Sequence, residues 1–429
     1  MVSSGRARPN LQHLLLAFLI LISVVGILLS GSGFARFDTT PGGGRALGPI
    51  IVPKEALVQE GVEIQDPTIV RERTNSSLWA QGRNALPPRN SELFPALARD
   101  HIIVVLYVHN RPQYLRVVIE GLSRVEGINE TLLIVSHDGF YPEMAELVEK
   151  IDFCQVKQLF AAYSPHLFPS SFPGTSPGDC KNKDDPVAKK CEGQADQYGN
   201  HRSPRIVSLK HHWWWMMNTI WDGLPETRGY NRHIVFIEED HYLFPNAYRN
   251  IQTLARITGE KCPDCWAVNL APWDVKNRGE RGDFLVAEKI GNMGYGFNRT
   301  MWNKLHSSAA TFCHFDDYNW DITLWSSVYP SWDEKAYTLR GPRTSALHFG
   351  RCGLHQGHQD GKPECQDFTQ ERPQVDPEDR IMNIDPSWEV SRHVYNYPHK
   401  FTGWGGWGDR RDQKLCMEFA SMYRHRHRL

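Results

Sequence analysis

Three consecutive acidic residues, Glu238, Glu239 and Asp240, follow the apolar run at 234–237. Their carboxylate oxygens suit a hard divalent cation, and Mg²⁺ or Mn²⁺ keeps only one or two protein carboxylates while water and phosphate oxygens fill the other positions. One such tripeptide therefore suffices for a metal-diphosphate. An exposed acidic strand end is the ordinary alternative, but a strand that reads as fully buried favours a site. His348, after the short apolar stretch at 346–347, offers an imidazole acceptable to Mn²⁺ and would complete the site begun by Asp240. Arg111 and Lys210 are candidates for diphosphate contacts, one as a fork and the other as a point charge; for both, a surface ion pair is the plain alternative. Asp138 ends a second apolar run, where its carboxylate can accept from a ribose or a base. The segment CHFDDYNWDITL (313–324) holds Asp316, Asp317 and Asp321 among aromatics. A carboxyl near Trp320 in a partly dry pocket would have its pKa raised, as a general base requires. In Lys210-His211-His212-Trp213-Trp214-Trp215 the three indoles are not expected all to face one core, so some of them are candidates for lining a pocket.

The elements that must position these groups alternate. HIIVVLYVHN (101–110) reads as a strand buried on both faces, QYLRVVIEGLSRV (113–125) as an amphipathic helix behind Pro112, and ETLLIVSHDG (130–139) as a second buried strand. Strand, helix, strand is a βαβ unit with parallel strands. A polar stretch at 163–205 follows, which Cys180 and Cys191 could pin; then comes a helix at 205–224 and one strand at 231–244. Ligands of open α/β sheets bind at the carboxyl ends of the strands, which here are His109-Asn110-Arg111, Ser136-His137-Asp138 and Glu238-Glu239-Asp240. No Walker A motif, GxGxxG motif or solenoid repeat is present, so a P-loop kinase or a Rossmann dehydrogenase has no support.

The chain has 429 residues, and its 48 Lys+Arg against 49 Asp+Glu argue against a nucleic-acid partner. A hydrophobic content of 41% excludes a disordered chain. The 16 residues from Leu14 to Leu29 are apolar with only Ser23 and Gly26 interrupting, and Arg6 and Arg8 lie before them. The expectation is a cytosolic tail at 1–13, a transmembrane signal anchor at 14–30, a stem at 31–98 and a lumenal catalytic domain at 99–429. A cleaved signal peptide is the alternative, and either route leads to an oxidising lumen. Sequons at Asn75, Asn129 and Asn298 agree with this. Of the nine Cys, Cys262 and Cys265 read as a small disulfide loop rather than half a zinc site, and Cys154 as the unpaired thiol.

The ordered motifs VHNRPQYL (108–115), SHD (136–138), FPG before DC (172–180), KHHWWW (210–215), EEDHYL (238–243), GNMG (291–294), DDYNWD (316–321), HFGRCG (348–353) and GGWGDRRD (405–412) resemble the N-acetylglucosaminyltransferase II family. The resemblance implies a Golgi type II membrane enzyme with an α/β, Rossmann-like glycosyltransferase domain of GT-A type, with a mainly parallel central sheet behind the anchor. It implies UDP-GlcNAc as donor and the α-1,6-arm mannose of an N-glycan as acceptor, and leaves a homodimer open. By resemblance Tyr107, Val108, His109, Asn110, Arg111, Asp138, Ser208, Leu209, Lys210, His211 and His212 bind the donor, although the family pattern has Gln where Ser208 stands. Asp240 and His348 would hold Mn²⁺, Asn292 and Trp320 would contact the acceptor, and Asp321 would be the catalytic base. The implied disulfides are Cys180–Cys191, Cys262–Cys265, Cys313–Cys416 and Cys352–Cys365, with one family pair missing. An α-linked donor and a β-linked product require inversion in one displacement. Two competing readings are a lumenal glycosidase using Asp321 and Glu239, and a sugar-binding module.

Overall fold

The computed structural model describes residues 76, 78–350, 372–393, 395 and 400–424. The expected anchor at 14–30, the sequon at Asn75 and the pair Cys352–Cys365 lie outside the described residues. Among the described residues no helix is long and apolar enough to cross a membrane.

β1 (Ile103–Val108), IVVLYV, is buried at every position. A strand with no polar face cannot sit at a solvated surface, and β1 takes a place near the middle of the sheet. α1 (Pro112–Leu122), with Pro at its first position, returns the chain to β2 (Leu132–His137), and α2 (Pro142–Glu149) leads to β3 (Gln155–Phe160). After the polar stretch come α3 (Pro204–Asn218), β4 (Ile234–Glu238), β5 (His241–Leu243), α4 (Ala247–Lys261), β6 (Cys265–Asn269), β7 (Phe284–Lys289) and β8 (Tyr295–Phe297). The short α5 (Trp320–Thr323), β9 (Tyr337–Arg340), β10 (Ala346–His348), β11 (Glu389–Arg392) and α6 (Arg410–Ser421) complete the elements that matter for the site.

Nine strands form one sheet in the order β11-β7-β9-β6-β8-β4-β1-β2-β3. Neighbours run parallel except around β8, which opposes both β4 and β6, and between β7 and β9. This is the mainly parallel α/β sheet expected. In register, Tyr107 of β1 lies between Ser136 of β2 and Glu238 of β4, so three strand ends stop at one level.

Four expectations change. The single strand read over 231–244 is two strands in two sheets. The chain turns at Glu239–Asp240, and β5 leaves to pair antiparallel with β10, His241 opposite His348. That break places the acidic turn and His348 side by side.

The second change concerns the three indoles. Trp213, Trp214 and Trp215 are all at most 2% exposed and belong to one core cluster. Successive helical positions point about 100° apart, so all three are covered because α3 is enclosed on every side from Lys210 to Asn218. Trp213 donates to the Tyr295 hydroxyl at 2.8 Å, and Trp214 donates to the Cys416 carbonyl of α6 at 3.0 Å.

Third, the stem boundary at 98 moves toward the N-terminus. A helix over 78–84 packs Ala80 fully inside, Arg89 pairs by backbone with Val156 of β3, and Asn84 bonds the Phe160 backbone at both 2.7 and 2.9 Å. An edge strand exposes unpaired backbone groups, and residues 78–98 cover those of β3.

Fourth, Lys210 leaves the list of surface cations, as described below. The cysteines fall as expected where described: Cys180–Cys191, Cys262–Cys265 and Cys313–Cys416 are bridged, and Cys154 is a buried free thiol.

Candidate active site

The ends of β1, β2 and β4 bring a set of polar groups together. At the end of β1 the His109 amide donates to Glu239 Oε2 at 2.8 Å. Arg111 Nε pairs with Glu239 Oε1, and its Nη1 donates to Asp240 Oδ2 at 2.7 Å. The fork thus neutralises the acidic turn, and despite burial Glu239 and Asp240 hold its pKa above the usual range. Both Glu239 oxygens are engaged in this way, so Glu239 is not the free carboxyl that the glycosidase reading needs. Val108 turns its side chain into the core and gives the site only backbone, its carbonyl accepting from the Asp138 amide at 3.1 Å. Asn110 is exposed at the turn.

At the end of β2, Asp138 is 2% exposed and accepts from His109 Nδ1 at 2.9 Å; His166 Nε2 stands 3.5 Å from its other oxygen. Burial would raise the Asp138 pKa, but the two imidazoles outweigh it and hold the carboxyl far below its usual range. Ser136 Oγ is 2.8 Å from His212 Nε2, which brings one face of α3 to the site. Burial lowers the His212 pKa to about 4, so at neutral pH the ring is uncharged.

The other α3 residues divide between site and core. Ser208 Oγ donates back to the Arg205 carbonyl at 2.8 Å, and Leu209 is half-buried. His211 bonds Asp412 at 2.8 Å beneath the Trp407 ring. Lys210, expected as a diphosphate contact, has 0% exposure. Its Nζ donates to the carbonyls of Phe315 and Asp317, both at 2.9 Å, and lies over the Phe312 and Trp407 rings. Sequence reading missed this because a helical Lys is usually amphipathic surface, whereas α3 is buried at every position from Lys210 to Asn218.

At the end of β4, Glu238 accepts from the Tyr107 hydroxyl at 3.1 Å; burial, then Asp240 and Asp321, push its pKa up to about 8. Asp240 is 3% exposed, and its Oδ1 is buried without a hydrogen-bond partner. His348 Nε2 lies 3.6 Å from Asp240 Oδ2. A Cβ on Gly350 would sit 2.2 Å from Asp240 Oδ2, so this approach requires glycine. An orphaned buried carboxylate oxygen next to an imidazole is a donor set that fits Mn²⁺. His241, which sequence reading did not single out, lies within 4.8 Å of both Glu238 and Asp240 through its ligand atom. Its only visible signal was its place in EEDHYL.

Opposite stands α5. Trp320 is 8% exposed and stacks on Trp213 with centroids 4.9 Å apart and planes 3° from parallel. Asp321 accepts from Asn292 Nδ2 at 3.0 Å and from the Ile322 amide at 2.8 Å. Burial is the main cause that lifts its pKa to about 6, which suits a base ionised at neutral pH. Asp316 and Asp317 do not join it. They accept from backbone amides, Asp316 from Gln197 and Trp407, Asp317 from Asn319 and Trp404, and so hold the loop.

Residues 80–416 match the N-acetylglucosaminyltransferase II (MGAT2) family. Over 351 residues the chain is 60% identical to an Arabidopsis thaliana protein named alpha-1,6-mannosyl-glycoprotein 2-beta-N-acetylglucosaminyltransferase, with 81% of each chain covered. Proteins of the same name from Rattus norvegicus and Homo sapiens are 32% and 31% identical; the alignments cover 75% and 78% of this chain, and 74% and 76% of theirs. The chain therefore belongs to the N-acetylglucosaminyltransferase II family and is a glycosyltransferase.

Proposed function

We propose that the protein moves N-acetylglucosamine from UDP-GlcNAc, in β-1,2 linkage and with inversion, to the α-1,6-arm mannose of an N-glycan. The names of the relatives support the transferred sugar, the linkage and the acceptor. The observation that carries the chemistry is Asp321, a carboxyl lifted to about 6, held by Asn292 and within electrostatic reach of Glu238. Asp321 takes the proton from the mannose O2 as that oxygen attacks C1 of the sugar, and the bond to UDP breaks with its electron pair leaving on the diphosphate. One displacement inverts C1 and needs no protein nucleophile. Asn292 and Trp320 orient the acceptor, and Asp138 with His109 accepts from the nucleoside. Asp240 and His348 would hold Mn²⁺, which supplies Lewis acidity at the diphosphate.

We place the protein in the Golgi membrane as a single-pass type II protein. The apolar segment at 14–30, with Arg6 and Arg8 before it, and three disulfides in the domain support that placement. The test is the purified protein with UDP-GlcNAc and a mannose-terminated N-glycan, with Mn²⁺ or with EDTA, and the product linkage read by NMR. A β-1,2 product that EDTA abolishes is expected. Free sugar released without UDP-GlcNAc, or an α-linked product, would overturn the reading.

A further inference from the structure

The 3₁₀ turn Pro165–Leu167, just after β3, delivers a histidine to the donor side of the pocket that the motifs did not mark. Ser164 Oγ accepts from the His166 amide at 3.1 Å and fixes the turn. A Cβ on Gly139 would meet the His166 Cβ at 2.9 Å, so the turn lies directly against the residue that follows Asp138. The His166 and His109 rings are 4.9 Å apart, one on each side of the Asp138 carboxylate, and Tyr141 closes the third side with its ring 5.4 Å from His109 and 6.1 Å from His166. His166 Nε2 is buried and stands 3.5 Å from Asp138 Oδ2, within ion-pair reach but longer than an ordinary hydrogen bond. Buried polar atoms rarely stay without an ordinary hydrogen bond, and a bound ligand is one of the explanations for those that do.

We propose that His166 is a positioning residue for the uridine half of the donor. With His109 it brackets Asp138 and keeps that carboxylate a fixed hydrogen-bond acceptor. An ionised carboxylate only accepts; uracil presents an N3–H donor where cytosine presents an N3 lone pair. A held anion at this position therefore selects uridine over cytidine, whereas a carboxyl free to rotate or to bind a proton selects less. The assignment rests on the transferase reading above, because it takes UDP-GlcNAc as the donor.

The test compares the whole protein with His166→Ala and His166→Gln, whose side-chain amide can donate from near the position of Nε2. Donor KM, acceptor KM, kcat, melting temperature and the inhibition constants of UDP and CDP are measured. In the Ala variant the donor KM and the UDP constant rise about tenfold, kcat and the acceptor KM stay within about twofold, and the CDP constant does not follow, so the preference for UDP narrows. Gln restores most of the preference. Equal weakening of UDP and CDP, or no change in either, overturns the proposal, because a merely structural role would move both together. If the unsubstituted protein turns over no UDP-GlcNAc, the transferase reading fails on its own. Calorimetric binding of UDP and CDP to the three proteins then still decides the role of His166.

Discussion

Asn292 Nδ2 donates to Asp321 Oδ2 at 3.0 Å, joining the loop between β7 and β8 to the start of α5 across 29 residues. The bond orients a partly desolvated carboxyl toward the acceptor side and favours its ionised form. The two residues sit on different elements, so the base is placed by the packing of α5 against α3 rather than by local sequence.

Asp321→Asn should leave UDP binding intact and cut kcat by about 10³-fold or more, the scale of a lost general base. Isothermal calorimetry with UDP and a transfer assay measure the two halves. Near-normal turnover would remove Asp321 from the base role.

The pH profile follows from the same group. Its pKa is lifted from 3.8 to about 6, so kcat/KM should fall as the pH drops below about 6 and the base takes up a proton. Asn292→Ala removes a bond to the ionised form and should move this limb to higher pH. Stability runs the other way. A carboxyl whose folded pKa lies above its unfolded value costs stability when ionised, and that cost disappears as the pH falls through about 6. Asp321→Asn should therefore raise the melting temperature at pH 7 and leave it nearly unchanged at pH 4. A melting temperature at pH 7 that does not move would contradict the sign.

For the metal, Asp240→Ala or His348→Ala should each shift the Mn²⁺ titration of UDP binding to higher concentration by about tenfold or more. A titration unchanged in both variants would place the metal elsewhere.

Lys210 separates two roles by one substitution. Lys210→Met leaves the Phe315 and Asp317 carbonyls without their donor, so it should lower stability by about 2–4 kcal/mol. The donor KM should stay within about twofold. A tenfold rise in donor KM at unchanged stability would mean that the ammonium reaches the diphosphate after all.

The bridge Cys313–Cys416 spans 103 residues and ties α6 to the segment before α5. Closing a loop of that size stabilises by up to about 4–5 kcal/mol in the chain-entropy view. The double variant Cys313→Ser with Cys416→Ser should melt roughly 5–10 °C lower, measured by calorimetry at neutral pH.

Much of this arrangement was legible in the residues themselves. Unbroken apolar runs rich in Val and Ile before HNR, SHD and EED read as strands buried on both faces, and such strands end where ligands bind. That reasoning needs only local periodicity, and β1, β2 and β4 lie where it puts them. The bridges Cys180–Cys191, Cys262–Cys265 and Cys313–Cys416, implied by resemblance, are also present.

What only the tertiary structure decided depends on contacts between distant segments. Nothing within HHWWW says that this part of α3 is enclosed on every side, because enclosure comes from α6 and the sheet; hence three indoles and Lys210 go inside. Nothing in EEDHYL shows that the chain leaves one sheet for another after Asp240, because the strand that draws it away is Ala346–His348, about a hundred residues on. His166 lies in a stretch without periodicity, and its meaning appears only when the turn after β3 folds against Gly139 and meets Asp138. Local sequence sets which backbone each segment prefers. Which side chains share one pocket is set by long-range packing, and here that packing brings Asp138, Asp240, Asp321 and His348 to one end of the sheet.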